Sequence, residues 1–227
     1  MQITVKDLTK EYKCGKRIFK AVDTVNLSLM AGDFVSIIGK SGSGKSTLFN
    51  IIAGLTKPTS GSVEINGKTL PSFSDQELSL YRNEIIGYVP QGQSILTDFN
   101  VLDNVRLPFH LTKRQGGSAD RAHELLRQVG IEHLAENYPK HLSGGELKRV
   151  AIARSLINNP DVLIADEPTG ELDTQTTAEV LLLLNSITKN GKAVLMVTHD
   201  LNAVGYSTRS YVMESGVLTS DKIGGNL

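Results

Sequence analysis

The run GKSGSGKST, Gly39 to Thr47, concentrates glycines, hydroxyls and a lysine in nine residues. It fits the pattern G-x-x-x-x-G-K-[ST] and lies between an apolar strand-like run, GDFVSIIG, and a helix-like one. Glycines 39, 42 and 44 let the backbone turn its N–H groups inward on a polyphosphate, where side chains would block the approach. The start of the following helix adds partial positive charge. Lys45 can reach the β- and γ-phosphates, and the Ser46 hydroxyl is the expected Mg²⁺ ligand. Lys40, Ser41, Ser43 and Thr47 complete the loop.

A second group follows the apolar run VLIAD: Asp166 and Glu167 stand at the carboxyl end of a buried strand, where α/β sheets bind ligands. Two adjacent carboxylates there are costly without a cation or partner. Asp166 suits the outer coordination of Mg²⁺ and Glu167 an attacking water. Alone, such a pair could be a helix-capping Asp and a solvated Glu; beside a phosphate loop the chemical reading is preferred. His199 ends the run VLMVTH and should reach the same edge, to bond a γ-phosphate or orient water. Gln91, after IGYVP, is placed to touch Mg²⁺ or water, although a glutamine there can equally be a loop residue. His110, His123, His133 and His141 are read as surface or core residues.

The third group is HLSGGELKRVAIARSL, His141 to Leu156. Ser143 is a natural N-cap and Gly144 and Gly145 open a helix with an apolar face through Leu147, Val150, Ala151 and Leu156. It can be read simply as a capped helix. As an anion grip, it would find no oxygens left free by the phosphate loop of its own subunit. The simpler geometry supplies it in trans, two copies closing face to face.

These groups need a scaffold of strands ending at one edge. The amino-terminal runs ITVKDLTKEY and AVDTVNLSL read as strands, and SGSVEINGKTL as a hairpin turning at Asn66-Gly67. Leu48, Ile51, Ile52 and Leu55 repeat at helical spacing after the loop, with Gly54 and Pro58 as stop signals. From about 92 to 141 strand-like runs thin out; a glycine-rich QGGS spans Gln115 to Ser118, and Ala122, Leu125, Leu126 and Val129 mark an amphipathic helix. Beyond, a helix after Ser143, the strand VLIAD, a helix from about Thr174 and the strand AVLMVTH alternate, which implies a largely parallel sheet covered by helices.

The 227 residues suffice for a sizeable core, and 40% hydrophobic with 21% charged residues reads as soluble and globular. Lys plus Arg equals Asp plus Glu at 24 each, so no global field draws the chain to nucleic acid. The sole cysteine, Cys14, excludes an internal disulfide and fits a reducing compartment. No run approaches the roughly 18 apolar residues of a membrane span, nor does the amino terminus have the apolar centre of a secretory signal. A cytoplasmic location is expected.

With Tyr12, GKSGSGKST, Gln91, LSGGE, VLIADE, an ELD ending at Asp173, and His199 in this order, the chain resembles the ATP-binding cassette family over essentially its whole length. The resemblance implies a phosphate-loop NTPase of α/β class: one ATPase domain over 1–227, with a largely parallel core sheet, an amino-terminal antiparallel β subdomain and a helical subdomain over about 92–145. It implies ATP as substrate with Mg²⁺, and Tyr12 stacked on adenine. It also implies that Ser143, Gly144, Gly145 and Glu146 meet the partner copy's ATP, and that Asp173 couples the two sites. ADEPTGELD and LTDFNVLDNVRLPF look most like the branch containing the MacB, LolD and FtsE ATPases. That implies a separate MacB- or FtsX-like permease, driven from the cytoplasmic face of a membrane, that exports or extracts peptide, lipoprotein or antimicrobial-type substrates. Both half-sites are complete in one chain, so a homodimer is self-sufficient, with a heterodimer as the alternative.

Glu146 replaces a common glutamine, and Glu171 the asparagine usual in this branch; both add charge near a seam carrying triphosphate, so a modest penalty to closure is expected. Cassettes that act on chromosomes insert long coiled coils between phosphate loop and signature; here the interval has no sustained heptads. An N-K-x-D-like run, the specificity mark of a GTPase, is also missing.

Overall fold

The computed structural model describes residues 2–70, 73–92, 94–111 and 116–220. Two long strands, β1 (Gln2–Cys14) and β2 (Arg17–Met30), pair antiparallel, and with β4 (Ser60–Ile65) and β5 (Lys68–Thr69) make a four-stranded sheet in the order β2-β1-β4-β5. The β4–β5 turn is the expected one: Asn66 and Gly67 both take positive φ, 48° and 82°, as a type I′ hairpin requires. The first hairpin extends further than the apolar alternation suggests. β1 runs through Lys13 and Cys14 and turns at Gly15 and Lys16 into β2, so Lys13 and Cys14 pair with Ile18 and Arg17.

The second sheet has the order β10-β9-β3-β8-β7-β6. Its strands are β3 (Phe34–Ile38), β6 (Ile86–Val89), β7 (Val162–Asp166), β8 (Ala193–Thr198), β9 (Arg209–Glu214) and β10 (Val217–Ser220). β3, β6, β7, β8 and β9 run parallel to one another; β10 returns antiparallel to β9 at the edge. β3, β7 and β8 are buried at every position, as strands covered on both faces must be. Alternate residues feed two cores. Val35 and Ile37 join Leu48, Phe49, Ile51 and Ile52 of α1 (Lys45–Ile52), whereas Phe34 joins Val150, Ile152, Leu181 and Leu184 on the other face. Each such side chain contributes about 1.5–3 kcal/mol on burial.

α1 stops at Ile52 because Gly54 takes φ 68°. Leu55, which its spacing assigns to the buried face, lies past that stop and is 55% exposed. Between β6 and β7 the described residues form helices and turns: α3 (Val101–His110), α4 (Ser118–Gln128) and α5 (Gly144–Leu156). Ala122, Leu125, Leu126 and Val129 are all buried there. Of QGGS, Gln115 lies outside the described residues. Two further helices complete the fold, α2 (Asp75–Glu84) before β6 and α6 (Thr174–Lys189) between β7 and β8. No helix of the described residues is long and apolar enough to cross a membrane.

Candidate active site

The loop from Gly39 to Gly44 joins β3 to α1, whose N-cap is Gly44 at φ 109° and ψ 0°. That φ, and the carbonyl oxygen of Ala21 where a Cβ would sit, make glycine obligatory at 44. Gly42, at φ 77°, faces open space, so its side is clear for a ligand. Lys45 is 7% exposed; its Nζ donates to the carbonyls of Gly39 (2.6 Å) and Lys40 (2.8 Å). Burial lowers the Lys45 pKa, opposed by the nearby charges of Glu167 and Asp166.

Parallel register brings the other groups to the same edge. Ile38 pairs with Thr198 and Asp166 with Val197, so Gly39, Glu167 and His199 emerge side by side. Val89 pairs with Ala165, which sets Gln91 next to them. His199 Nδ1 lies 2.9 Å from Glu167 Oε2; the histidine side chain is 71% exposed and the glutamate 11%. Glu167 takes φ 50°, a left-handed backbone, while its N–H donates to the carbonyl of Val197 at 2.9 Å. Strained residues of this kind cluster at functional sites. Asp166 is raised in pKa, first by burial and also by the Glu167 charge; a hydrogen bond from Ser46 and the cations of Lys45 and Lys148 work against this. The other four histidines lie elsewhere, exposed or half-buried.

Tyr12, Lys40, Ser41, Gly42, Gly44, Lys45, Ser46, Thr47, Gln91, Asp166, Glu167 and His199 line one cleft of about 830 Å³. This is ample for a nucleotide. Gly39 supports it through the carbonyl that holds Lys45, and Ser43 is buried beneath the loop. Phe19, Lys20, Ala21, Ser215 and Gly216 also line the cleft and are not apparent from motifs. The signal that could have found Phe19 is the Gly15 turn, which folds it back opposite Tyr12.

Ser143, Gly144, Gly145 and Glu146 do not line that cleft among the described residues. They sit at the start of α5 in a capping box: Glu146 N donates to Ser143 Oγ, and Glu146 Oε2 accepts from Ser143 N (2.7 Å) and Oγ (2.8 Å). Gly144 and Leu147 border a separate depression with Gly170, Glu171 and Leu172. Asp173 is the N-cap of α6, accepting from Thr176 N at 3.0 Å and from its hydroxyl; these bonds lower its pKa.

Ser46 and Asp166 offer adjacent hard oxygens, and a cation would relieve the buried carboxylate, so the chemistry fits Mg²⁺. Among the described residues no cluster of three or more His, Cys, Asp or Glu is placed to hold a metal ion. A donor set this small suits an ion that shares its shell with substrate phosphates.

Residues 22–170 match the sequence profile described as ABC transporter. The macrolide export ATP-binding/permease protein MacB of Chlorobaculum tepidum is 39% identical over 220 residues, covering 97% of this chain but 34% of MacB. The chain thus spans about a third of that relative. The uncharacterised ABC transporter ATP-binding protein MJ0796 of Methanocaldococcus jannaschii is 42% identical over 220 residues, 94% of each chain. A solved dimeric structure of MJ0796 superposes with TM-score 0.87 at 40% identity, covering 96% of this chain and 98% of the other. Another, a dimeric post-hydrolysis state holding ADP and Pi, gives TM-score 0.87 at 39% identity over the same shares.

Proposed function

The chain belongs to the ABC transporter family as an ABC ATPase, and on that premise we propose that two copies bind ATP face to face, hydrolyse it and drive a membrane permease. The observation that carries this reading is a division: the phosphate loop shares a cleft with Asp166, Glu167 and His199, while Ser143 to Glu146 lie outside it. A second copy meets both needs, setting its signature helix over this copy's triphosphate. The dimeric forms of MJ0796 support it.

In this reading the loop N–H groups from Gly39 to Thr47 hold the phosphates, Lys45 meets the β- and γ-phosphates, and Tyr12 stacks on the adenine. Ser46, Gln91 and Asp166 would hold Mg²⁺, which when bound would neutralise charge on the phosphate oxygens. Glu167 takes a proton from water as the water oxygen bonds to the γ-phosphorus, and the bond to the ADP oxygen breaks. His199 Nδ1, 2.9 Å from the Glu167 carboxylate, fixes that base in place. Asp173, at the start of α6, couples the two sites across the seam.

The residues 1–227 act as one ATPase domain, with α3, α4 and the approach to α5 as a helical subdomain over about 92–145. The partner is a permease of MacB or FtsX kind, touched through the surface near Gln91 and that subdomain. The chain then works on the cytoplasmic face of a membrane, and the cargo is of peptide, lipoprotein or antimicrobial type. The purified Glu167→Gln variant should bind ATP like the wild type but hydrolyse it about 10²–10⁴-fold more slowly. Unchanged turnover would remove Glu167 from this role. Retention of the chain on membranes only when such a permease is co-expressed tests the coupling; ATPase activity indifferent to it contradicts that part.

A further inference from the structure

We propose that Phe19 is a second base-recognition residue, forming with Tyr12 a two-ring platform for the purine; this rests on the reading of the cleft as an ATP site. Phe19 is the direct cross-strand partner of Tyr12 in the β1–β2 register. Opposed side chains on one sheet face stand together, and these rings lie with centroids 5.7 Å apart and planes 29° apart. Both line the cleft that contains the phosphate loop. Both also keep much of their surface uncovered, 38% for Tyr12 and 53% for Phe19.

Geometry limits how a base can use the pair. Sliding a flat ring between two others needs roughly 7 Å, twice a van der Waals contact, which exceeds their separation. The base therefore lies against the pair and covers apolar surface of both. Lys10 Nζ lies 5.3 Å from the Tyr12 centroid, yet Lys10 is not among the residues of the cleft, so it approaches that ring from outside. Phe19 has no polar atom, so it adds stacking without selecting among hydrogen-bonding edges.

The chain has no tryptophan, so Phe19→Trp supplies a unique fluorophore at the proposed contact. Its emission should change on adding ATP and remain unaltered with inorganic tripolyphosphate, which has phosphates and no base. Phe19→Ala and Phe19→Leu should weaken ATP binding about three- to tenfold and leave tripolyphosphate binding unchanged, whereas Phe19→Tyr should restore ATP binding. Full ATP affinity in both Ala and Leu variants overturns the proposal. So does an equal loss for the two ligands, which marks a residue that only staples the hairpin. A wild-type chain that binds tripolyphosphate but gains nothing from the base refutes the platform while leaving the phosphate grip; one that binds neither refutes the ATP site and the platform with it.

Discussion

Glu167 and Glu171 hold backbone conformations, φ 50° and 67°, that L side chains seldom adopt. At Glu167 the strain accompanies a carboxylate bound to His199. At Glu171 the chain carries a glutamate where asparagine, far better suited to left-handed backbone, would relieve it. Glu171→Asn should therefore stabilise the protein by about 1 kcal/mol, a Tm rise of about 2–4 °C by calorimetry. It should also tighten ATP-driven dimerisation in a Glu167→Gln background; unchanged dimerisation sinks the charge-penalty idea. Asp166 gives a pH prediction. Its folded pKa is raised above the ordinary 3.8, so the folded state disfavours the ionised form. Stability is lost as pH rises from the unfolded pKa through the folded one. Asp166→Asn should thus raise the nucleotide-free Tm at pH 7, with the gain shrinking below about pH 4, while abolishing Mg²⁺-dependent hydrolysis. A lower Tm at pH 7 would contradict the burial penalty. The glycines, Lys45, Asp166 and Glu167 are legible from sequence because their chemistry is dictated by type and spacing. The His199–Glu167 contact is legible only as shared location, since nothing local fixes its distance.

The elements that carry the site also constrain each other. The start of α5 packs on the start of α6, and a Cβ at Gly145 would collide with Thr176 Cγ2. Gly145 is thus required by packing as well as by any close approach to phosphate. Gly145→Ala should cost about 1–3 kcal/mol through overpacking, visible as a lower denaturation midpoint without nucleotide. Ser143→Ala loses an N-cap worth about 1 kcal/mol, so its effect on activity must be compared with its Tm. Glu146 tempers the expected charge penalty, because its carboxylate is engaged by Ser143 at a helix start, where negative charge is favoured. Most elements are legible where burial shapes the sequence, as an unbroken buried run does in β3 and β7 and a helical period does in α4. α2 is not: Tyr81 is its one buried residue, so no apolar stripe forms, and the available signal is the Ser74–Glu77 capping box. Leu55 misleads for the opposite reason, since the helical period continues in sequence past the residue that ends the helix.

At the scale of the molecule, the parallel strands gather at one edge the glycine-rich loop with Lys45, the carboxylates of Asp166 and Glu167, and His199, while the helix that Ser143 caps begins elsewhere. That separation is what a single copy cannot resolve and a face-to-face dimer can. Neither apolar pattern nor net charge announces it, because Ser143 to Glu146, the residues proposed for the seam, make no apolar face. The most direct measurement is the solution mass of the Glu167→Gln variant by light scattering, with and without saturating Mg²⁺-ATP. Closure in trans predicts the 24.6 kDa monomer without nucleotide and twice that mass with it. It further predicts that Ser143→Arg abolishes the doubling while ATP still binds. A Glu167→Gln chain that is saturated with ATP and remains at 24.6 kDa contradicts the shared site.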